Sequence, residues 1–184
     1  MTSPVSTSKQ HRVAVIGGGP AGLMAAEMLL AAGVQVDVFD AMPSPGRKFL
    51  LAGVGGMNIT HSEAQADFYR RYGPREAALA PMLDAFNADA LRDWVHGLGI
   101  ETFVGSSGKV FPREMKAAPL LRAWLARLRE AGMQLHVRHR WEGWHPDGSL
   151  RFSTPTGETH WQGSAVVLAL GGGSWAKLGS DGRW

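Results

Sequence analysis

Residues 13–22 read Val-Ala-Val-Ile-Gly-Gly-Gly-Pro-Ala-Gly, a short apolar run that passes directly into a glycine-rich turn. The apolar run is typical of a strand that is buried on both faces of a parallel sheet. Pro20 suits the first turn of a helix, because its missing N–H would have no intrahelical partner there. We therefore predict a helix over 21–32 that ends at Gly33, a second strand over 34–39, and a βαβ unit over 13–40.

The glycines of this turn satisfy the pattern G-x-G-x-x-G at the junction of strand and helix. Gly17 permits the tight turn, Gly19 lets the backbone approach a pyrophosphate, and Gly22 allows the helix to pack closely on the strand. Asp40 lies eighteen residues after Gly22, at the end of the second strand, where it can accept hydrogen bonds from ribose hydroxyls. The pattern predicts dinucleotide binding and disfavours NADP, whose 2′-phosphate Asp40 would repel. FAD and NAD both remain open from this motif.

The segment after this unit, residues 41–61, lacks helical or strand periodicity and is rich in glycine and proline. A loop of that length inside a domain is usually functional. Its cations Arg47 and Lys48, followed by the glycine-rich stretch 53–58, lie where a longer dinucleotide would continue toward a flavin. A solvated basic loop is the alternative interpretation.

Further along the chain, the apolar spacing predicts a one-sided helix that begins after Asn87 and another between Pro119 and Gly132. The pattern changes to period two over 134–161, with two turn signals, and predicts a three-stranded antiparallel β-meander. Residues 165–170 are wholly apolar and predict another buried strand, which runs straight into Gly171-Gly172-Gly173.

Length and composition limit the remaining possibilities. The 184 residues, 45% apolar and 19% charged, suit one domain, which we assign as an FAD/NAD(P)-binding domain over 1–184 with a disordered tail at 1–11. The absence of cysteine excludes disulfides, thiolate metal sites and a cysteine nucleophile, so any redox chemistry needs a cofactor. The formal charge of +3 comes from scattered basic residues and argues against nucleic acid as the partner. The polar N-terminus and the short apolar runs predict a cytoplasmic protein with no membrane segment.

Histidines and serines suggest no further chemistry. His136, His139, His145 and His160 lie on strands whose alternation does not converge them, so we predict no metal site. Serines in the glycine loops have no assignable histidine and acid partners, and we assign no catalytic side chain.

The order of motifs resembles the BaiN-type flavoproteins, also described as the aminoacetone-oxidase-like FAD-binding family, from about His11 to Trp184. The resemblance is carried by the first glycine motif, Asp40, Gly-Arg-Lys at 46–48, Gly-Gly-x-Asn-Ile-Thr at 55–60, Gly-Lys-Val-Phe-Pro at 108–112 and Ala-Leu-Gly-Gly at 169–172. It implies an α/β fold of the glutathione-reductase type, with a Rossmann-like parallel sheet and an antiparallel β-meander. It also implies FAD as cofactor, a small-molecule substrate and oxidoreductase activity, with NAD(P)H as a possible electron donor.

Carried over by position, the resemblance implies a set of cofactor-binding residues. Trp141, at the opening of the second meander strand, would contact adenine through its backbone. The full set is Gly17, Gly19, Pro20, Ala21, Gly22, Asp40, Arg47, Lys48, Asn58, Trp141, Ala169 and Gly171.

Two departures from the family pattern shape the expectation. Where the family commonly has Gly-Arg-Cys-Asn, this chain has Gly56-Met57-Asn58. Members of the family continue for roughly twice this length, so we expect an incomplete domain that needs a C-terminal segment as its partner.

The predicted function is an FAD-dependent oxidoreductase acting on an unidentified small molecule. The alternatives are a non-catalytic dinucleotide-binding fragment and, less favoured, a flavoprotein that modifies RNA.

Overall fold

Strands and helices alternate along the residues that the computed structural model describes, namely 11–51, 55–173, 175–178 and 182. The strands are β1 Arg12–Ile16, β2 Gln35–Asp40, β3 Thr60–His61, β4 Thr102–Val104, β5 Lys109–Pro112, β6 Gln134–Val137, β7 Arg140–Trp144, β8 Leu150–Thr154, β9 Gly157–Trp161 and β10 Ala165–Leu168. The α-helices are α1 Pro20–Ala31, α2 Arg47–Leu51, α3 Gln65–Arg70, α4 Glu76–Ala85, α5 Ala88–Gly97 and α6 Ala117–Glu130. Short 3₁₀ helices occupy Gly73–Arg75 and Ala176–Leu178.

Four parallel strands form the main sheet in the order β10-β1-β2-β6. β1, α1 and β2 make a βαβ unit, and Gly33, with φ of +76°, follows α1. Because β10 is parallel to β1, the glycine turn after Ile16 and the segment after Leu168 lie at the same edge of the sheet. The α/β fold with a parallel sheet is confirmed.

The two faces of this sheet are both covered, which explains why residues 13–16 of β1 are all apolar. Val13 and Val15 pair with Val36 and Val38, and all four are buried on the side opposite Ala14 and Ile16. On the latter side, Phe39 stacks on Phe152 of β8 with ring centroids 4.3 Å apart. The core of the sheet therefore continues into the antiparallel layer.

That antiparallel layer is a three-stranded meander in the order β7-β8-β9. It contributes Leu150, Phe152 and Trp161 to the cluster that also holds Ala14 and Phe39. β7 pairs only with β8 in this sheet, so it is an edge strand.

The assignment of the first strand to the predicted meander is wrong. Gln134–Val137 pairs in parallel with β2 and extends the main sheet, so the meander covers 140–161 instead of 134–161. The chain turns between the two sheets at Arg138, which has φ of +58°. Period-two alternation over four residues is common to parallel edge strands and antiparallel strands, so the pattern could not separate them. Trp141 accordingly lies in the first meander strand, where the sequence analysis placed it in the second.

A carboxylate is buried between the strands of the main sheet. Asp37 is 1% exposed and accepts hydrogen bonds from Arg12 Nε at 2.6 Å and Nη2 at 2.9 Å. His136 Nε2 lies 2.8 Å from the same carboxylate. Burial by itself would raise the pKa of Asp37, but the hydrogen bonds and charges of Arg12 and His136 hold it below its usual value.

The contacts divide the chain into two compact units, residues 1–48 with 128–184 and residues 49–127, where the sequence predicts one domain. The second unit contains the antiparallel sheet β3-β5-β4 and a core around Met57, Val95, Ala117 and Leu120. Asn87 caps α5, as predicted, by accepting a hydrogen bond from the Ala90 N–H at 2.8 Å.

The predicted loop over 41–61 contains α2 and β3 within its described part. The predicted tail lies outside the described residues except for His11, and so do Gly53, Val54, Ser174 and Trp184. Within the part of the chain that the structure covers, no helix is both long and apolar enough to cross a membrane.

Candidate functional site

The glycine turn between β1 and α1 contains two positions where only glycine fits. Gly17 has φ of +110°, donates its N–H to the Phe39 carbonyl oxygen at 2.7 Å, and a Cβ on it would overlap the Ala169 carbonyl oxygen. A Cβ on Gly22 would overlap the carbonyl oxygen of Gly17. These two glycines allow β1, β10 and α1 to approach one another.

Gly19 differs from both, because a Cβ built on it meets no heavy atom within 4 Å. It has φ of −79° and ψ of 179°, which any residue adopts, and it is the N-cap of α1 without a side-chain hydrogen bond. Pro20 is the first helical residue, and the first-turn N–H groups of a helix have no intrahelical acceptor. The open space beside Gly19 therefore lies at the positive end of the α1 dipole, where an anionic group would be stabilised.

Asp40, the last residue of β2, contacts the glycine turn directly. Its Oδ2 accepts from the Gly18 N–H at 2.9 Å, and its Oδ1 accepts from the Met42 N–H at 2.8 Å. Burial raises the pKa of Asp40, and the two backbone donors together with the charge of Arg47 offset part of that rise. A carboxylate oxygen has more than one lone pair, so each can still accept a ligand hydroxyl.

A cavity of about 380 Å³ lies at this edge of the sheet, within the first unit. Its size falls in the range of about 300–1,000 Å³ that small-molecule sites occupy. Ten of the twelve predicted cofactor-binding residues line it: Gly17, Gly19, Pro20, Ala21, Asp40, Arg47, Lys48, Trp141, Ala169 and Gly171. Residues from four separate parts of the chain are thus brought together.

The other two predicted residues do not line the cavity. Gly22 lies under the turn, where its lack of a side chain serves packing. Asn58 belongs to the second unit, and its side-chain amide, oriented by its hydrogen-bonding surroundings, donates to the Thr60 and Val110 carbonyl oxygens at 2.7 and 3.2 Å. The geometry of Asn58 is that of a residue bracing β3 against β5, and its role toward a cofactor stays a prediction.

The basic loop reaches the cavity because it is tied to the glycine turn. The Gly46 N–H donates to the Gly18 carbonyl oxygen at 2.8 Å, which places Arg47 at the start of α2 beside Asp40. The Nε of Arg47 is buried and has no hydrogen-bond partner among the residues described. Arg47 itself lines the cavity, and a guanidinium group there suits an anionic or oxygen-rich ligand.

Several cavity residues were missed by the sequence analysis. Met42, His139, Arg140 and Leu170 line the same space. The His139 N–H donates to the Asp40 carbonyl oxygen at 2.9 Å, and the Arg138 N–H donates to the Met42 carbonyl oxygen at 3.0 Å. Had 134–137 been assigned to the parallel sheet, the rule that ligands bind beyond the carboxyl ends of strands would have found 138–140.

This arrangement combines a carboxylate, a helix N-terminus, a guanidinium group and a turn that is open at Gly19. Those features fit the ribose hydroxyls and the pyrophosphate of a dinucleotide. No group of three or more potential metal ligands occurs within the described segments.

Comparison with known proteins agrees with this geometry. The ribosomal RNA dihydrouridine synthase of Haemophilus influenzae is 30% identical over 171 residues, which are 90% of this chain and 41% of that protein. A flavocytochrome c3 fumarate reductase in its open conformation has a similar fold, with a TM-score of 0.67, 22% identity, and coverage of 91% of this chain and 34% of its own. The 3-ketosteroid-Δ4-(5α)-dehydrogenase of Rhodococcus jostii superposes with a TM-score of 0.64 at 15% identity, over 91% of this chain and 47% of that one.

The chain thus spans less than half the length of the curated relative described above. The model of the family described as the HI0933-like protein Rossmann domain matches residues 11–184, which include the glycine turn, Asp40 and the 169–171 segment. On that match, the chain belongs to the HI0933-like family of Rossmann domains.

Proposed function

We propose that this chain is the FAD-binding part of an FAD-dependent oxidoreductase. The observation that carries the proposal is the cavity of about 380 Å³ whose wall joins the open turn at Gly19 to the carboxylate of Asp40. Membership of the HI0933-like family supports the same conclusion.

In this proposal, the chain's residues bind and orient the dinucleotide. The first-turn N–H groups of α1 and the Arg47 guanidinium would hold the pyrophosphate, while Asp40 would accept from the ribose hydroxyls of the adenosine half. Ala169 and Gly171, at the end of β10, would border the cofactor on the other side of the turn. Bound FAD supplies hydride or electron transfer, which no side chain here provides.

The charge of Asp40 limits the choice of cofactor. Asp40 would repel a 2′-phosphate, so NADP is disfavoured at this cavity. NAD(P)H as the electron donor is a further proposal, and it would bind elsewhere. The motifs at 46–48, 55–60 and 108–112 support assignment to the BaiN-type flavoproteins within the broader family.

A second candidate function is favoured by one comparison. The Haemophilus influenzae relative is named for dihydrouridine synthesis in ribosomal RNA. A flavoprotein of that kind would add a hydride and a proton across the C5=C6 double bond of uridine. The scattered charge of this chain argues less strongly for RNA than for a small molecule.

The test measures FAD and ADP binding by calorimetry and by quenching of flavin fluorescence. Gly19→Val would fill the space beside the turn and should abolish binding, while its ordinary φ and open surroundings leave the fold unchanged. Ala131→Val, at an exposed position of the same unit, is the control and should bind as the wild type does. Equal FAD affinity in Gly19→Val and wild type would overturn the proposal.

Turnover separates the functional alternatives. Reoxidation of reduced, FAD-loaded protein by a small-molecule acceptor supports the first candidate. Gain of two hydrogens by ribosomal RNA, measured by mass spectrometry of its uridines, supports the second. Stoichiometric FAD with neither reaction identifies the chain as a binding unit without catalysis.

A further inference from the structure

His139 borders the cavity, and the dinucleotide roles described above do not use it. Its backbone N–H donates to the Asp40 carbonyl oxygen at 2.9 Å. Its half-buried ring lies against three aromatic rings, with centroid distances of 5.5 Å to His136, 5.8 Å to Phe39 and 6.1 Å to Phe152. The imidazole is therefore held in place by both backbone and packing.

The hydrogen bond made by the ring fixes its tautomer. Nδ1 of His139 lies 2.9 Å from the Val137 carbonyl oxygen, which can only accept. Nδ1 must therefore carry the proton, and in a neutral imidazole Nε2 is then an acceptor. Nε2 has no hydrogen-bond partner within the described part of the chain.

His139, which carries this acceptor, is a neighbour of the residue that is proposed to hold the ribose. Asp40, which is proposed to hold the ribose, and His139 are joined by a backbone hydrogen bond along one wall of the cavity. Arg140 and Trp141 continue that wall on the edge strand β7. A nucleoside whose ribose is bound at Asp40 would extend its base along the same wall.

We propose that His139 selects adenine by accepting a hydrogen bond from its 6-amino group through Nε2. This inference rests on the proposed dinucleotide function and adds a specificity residue to it. Adenine presents a donor at position 6, whereas hypoxanthine presents an acceptor oxygen that would face the acceptor Nε2. Sites that bind one hydrogen-bonding group reject analogues that leave that group unpaired.

The experiment compares the binding of ADP with that of inosine 5′-diphosphate by calorimetry. The wild type should bind ADP about tenfold more tightly, the equivalent of one hydrogen bond. His139→Phe retains a ring against Phe39 and Phe152 but has no acceptor, so ADP should weaken about tenfold while inosine diphosphate is unchanged. His145→Phe, on the same meander but outside the cavity lining, should keep the wild-type ratio.

A second measurement needs no variant. The ¹⁵N resonance of His139 Nε2 should be that of an unprotonated nitrogen, and it should shift on addition of ADP but not of inosine diphosphate. An unchanged ADP preference in His139→Phe, or an Nε2 resonance that ADP leaves unmoved, would overturn the inference while the proposed function stands. Failure of the wild type to bind ADP at all would overturn both.

Discussion

The backbone N–H of Gly18 donates to Oδ2 of Asp40 across 2.9 Å, joining the turn after the first strand to the end of the second. The approach is so close that a Cβ on Gly18 would lie 2.7 Å from that oxygen and 2.8 Å from Cβ of Pro45. Asp40 therefore has a structural role in addition to the proposed contact with ribose. The glycine turn is shaped by the carboxylate that lies next to it.

Gly18→Ala should consequently destabilise the fold. The added methyl group must displace Asp40 or Pro45, and overpacking of this kind costs about 1–3 kcal/mol. The free energy of unfolding in urea, followed by circular dichroism, measures the loss. Gly19→Ala, at the neighbouring open position, should leave the unfolding free energy within about 0.5 kcal/mol of the wild type. Equal stability of the two variants would contradict the close contact.

Asp40→Asn should weaken ADP binding about tenfold or more, because charge-assisted hydrogen bonds contribute about 1.5–3 kcal/mol. Calorimetry against the wild type measures this, with Asp147→Asn on the exposed β7–β8 turn as the control. If the two variants bind ADP equally well, Asp40 acts on the turn alone.

The raised pKa of Asp40 also predicts a pH dependence. Because the folded protein binds this proton more tightly than the unfolded chain does, ionisation of Asp40 lowers stability as pH rises from about 3.8 through the raised value. The stability of the wild type relative to Asp40→Asn should therefore decrease over that window. Urea unfolding at a series of pH values tests the direction, and a relative stability that increases with pH would contradict it.

Arg12→Met should destabilise the first unit, because it leaves the buried Asp37 carboxylate with fewer partners. The Arg12 side chain is 46% exposed, so solvent reduces the effect and we expect about 1–3 kcal/mol. The pKa of Asp37 is lowered, so this contribution is present above about 3.8 and is lost as pH falls through the lowered value. The control is Arg113→Met, since Arg113 pairs with Glu101 on the surface and should cost under about 0.5 kcal/mol.

The β7–β8 turn contains Asp147, whose lowered pKa can be measured directly. The Ser149 hydroxyl and backbone N–H donate to Asp147 Oδ1 at 2.6 and 2.9 Å, and these bonds, side chain first, lower the pKa of Asp147 to about 2. Ser149→Ala removes the hydroxyl donor, so the pKa should move back toward 3.8. NMR titration of the Asp147 carboxyl carbon measures both values. An unchanged pKa in the variant would assign the shift to the backbone donor or to His145.

The local sequence determined the parts of this protein that depend on neighbouring residues. A buried apolar strand, a turn that needs glycine, a helix beginning at proline and a carboxylate at the next strand end follow one another over 13–40, so their periodicity and turn chemistry predict the βαβ unit and the start of the site. The cap at Asn87 was equally predictable, because its partner Ala90 lies three residues away.

Only the tertiary structure decided which distant segments complete the cavity. Residues 134–137 form an edge strand of the parallel sheet because they pair with β2. In that pairing Gln134 lies opposite Asp37, which is ninety-seven residues earlier in the chain. Four residues of alternating polarity carry no information on the direction of a partner strand, so His139 and Arg140 could not be placed beside Asp40 from sequence. Likewise, the double role of Asp40 depends on how closely β2 approaches the turn after β1, a distance that the parallel pairing of the two strands determines.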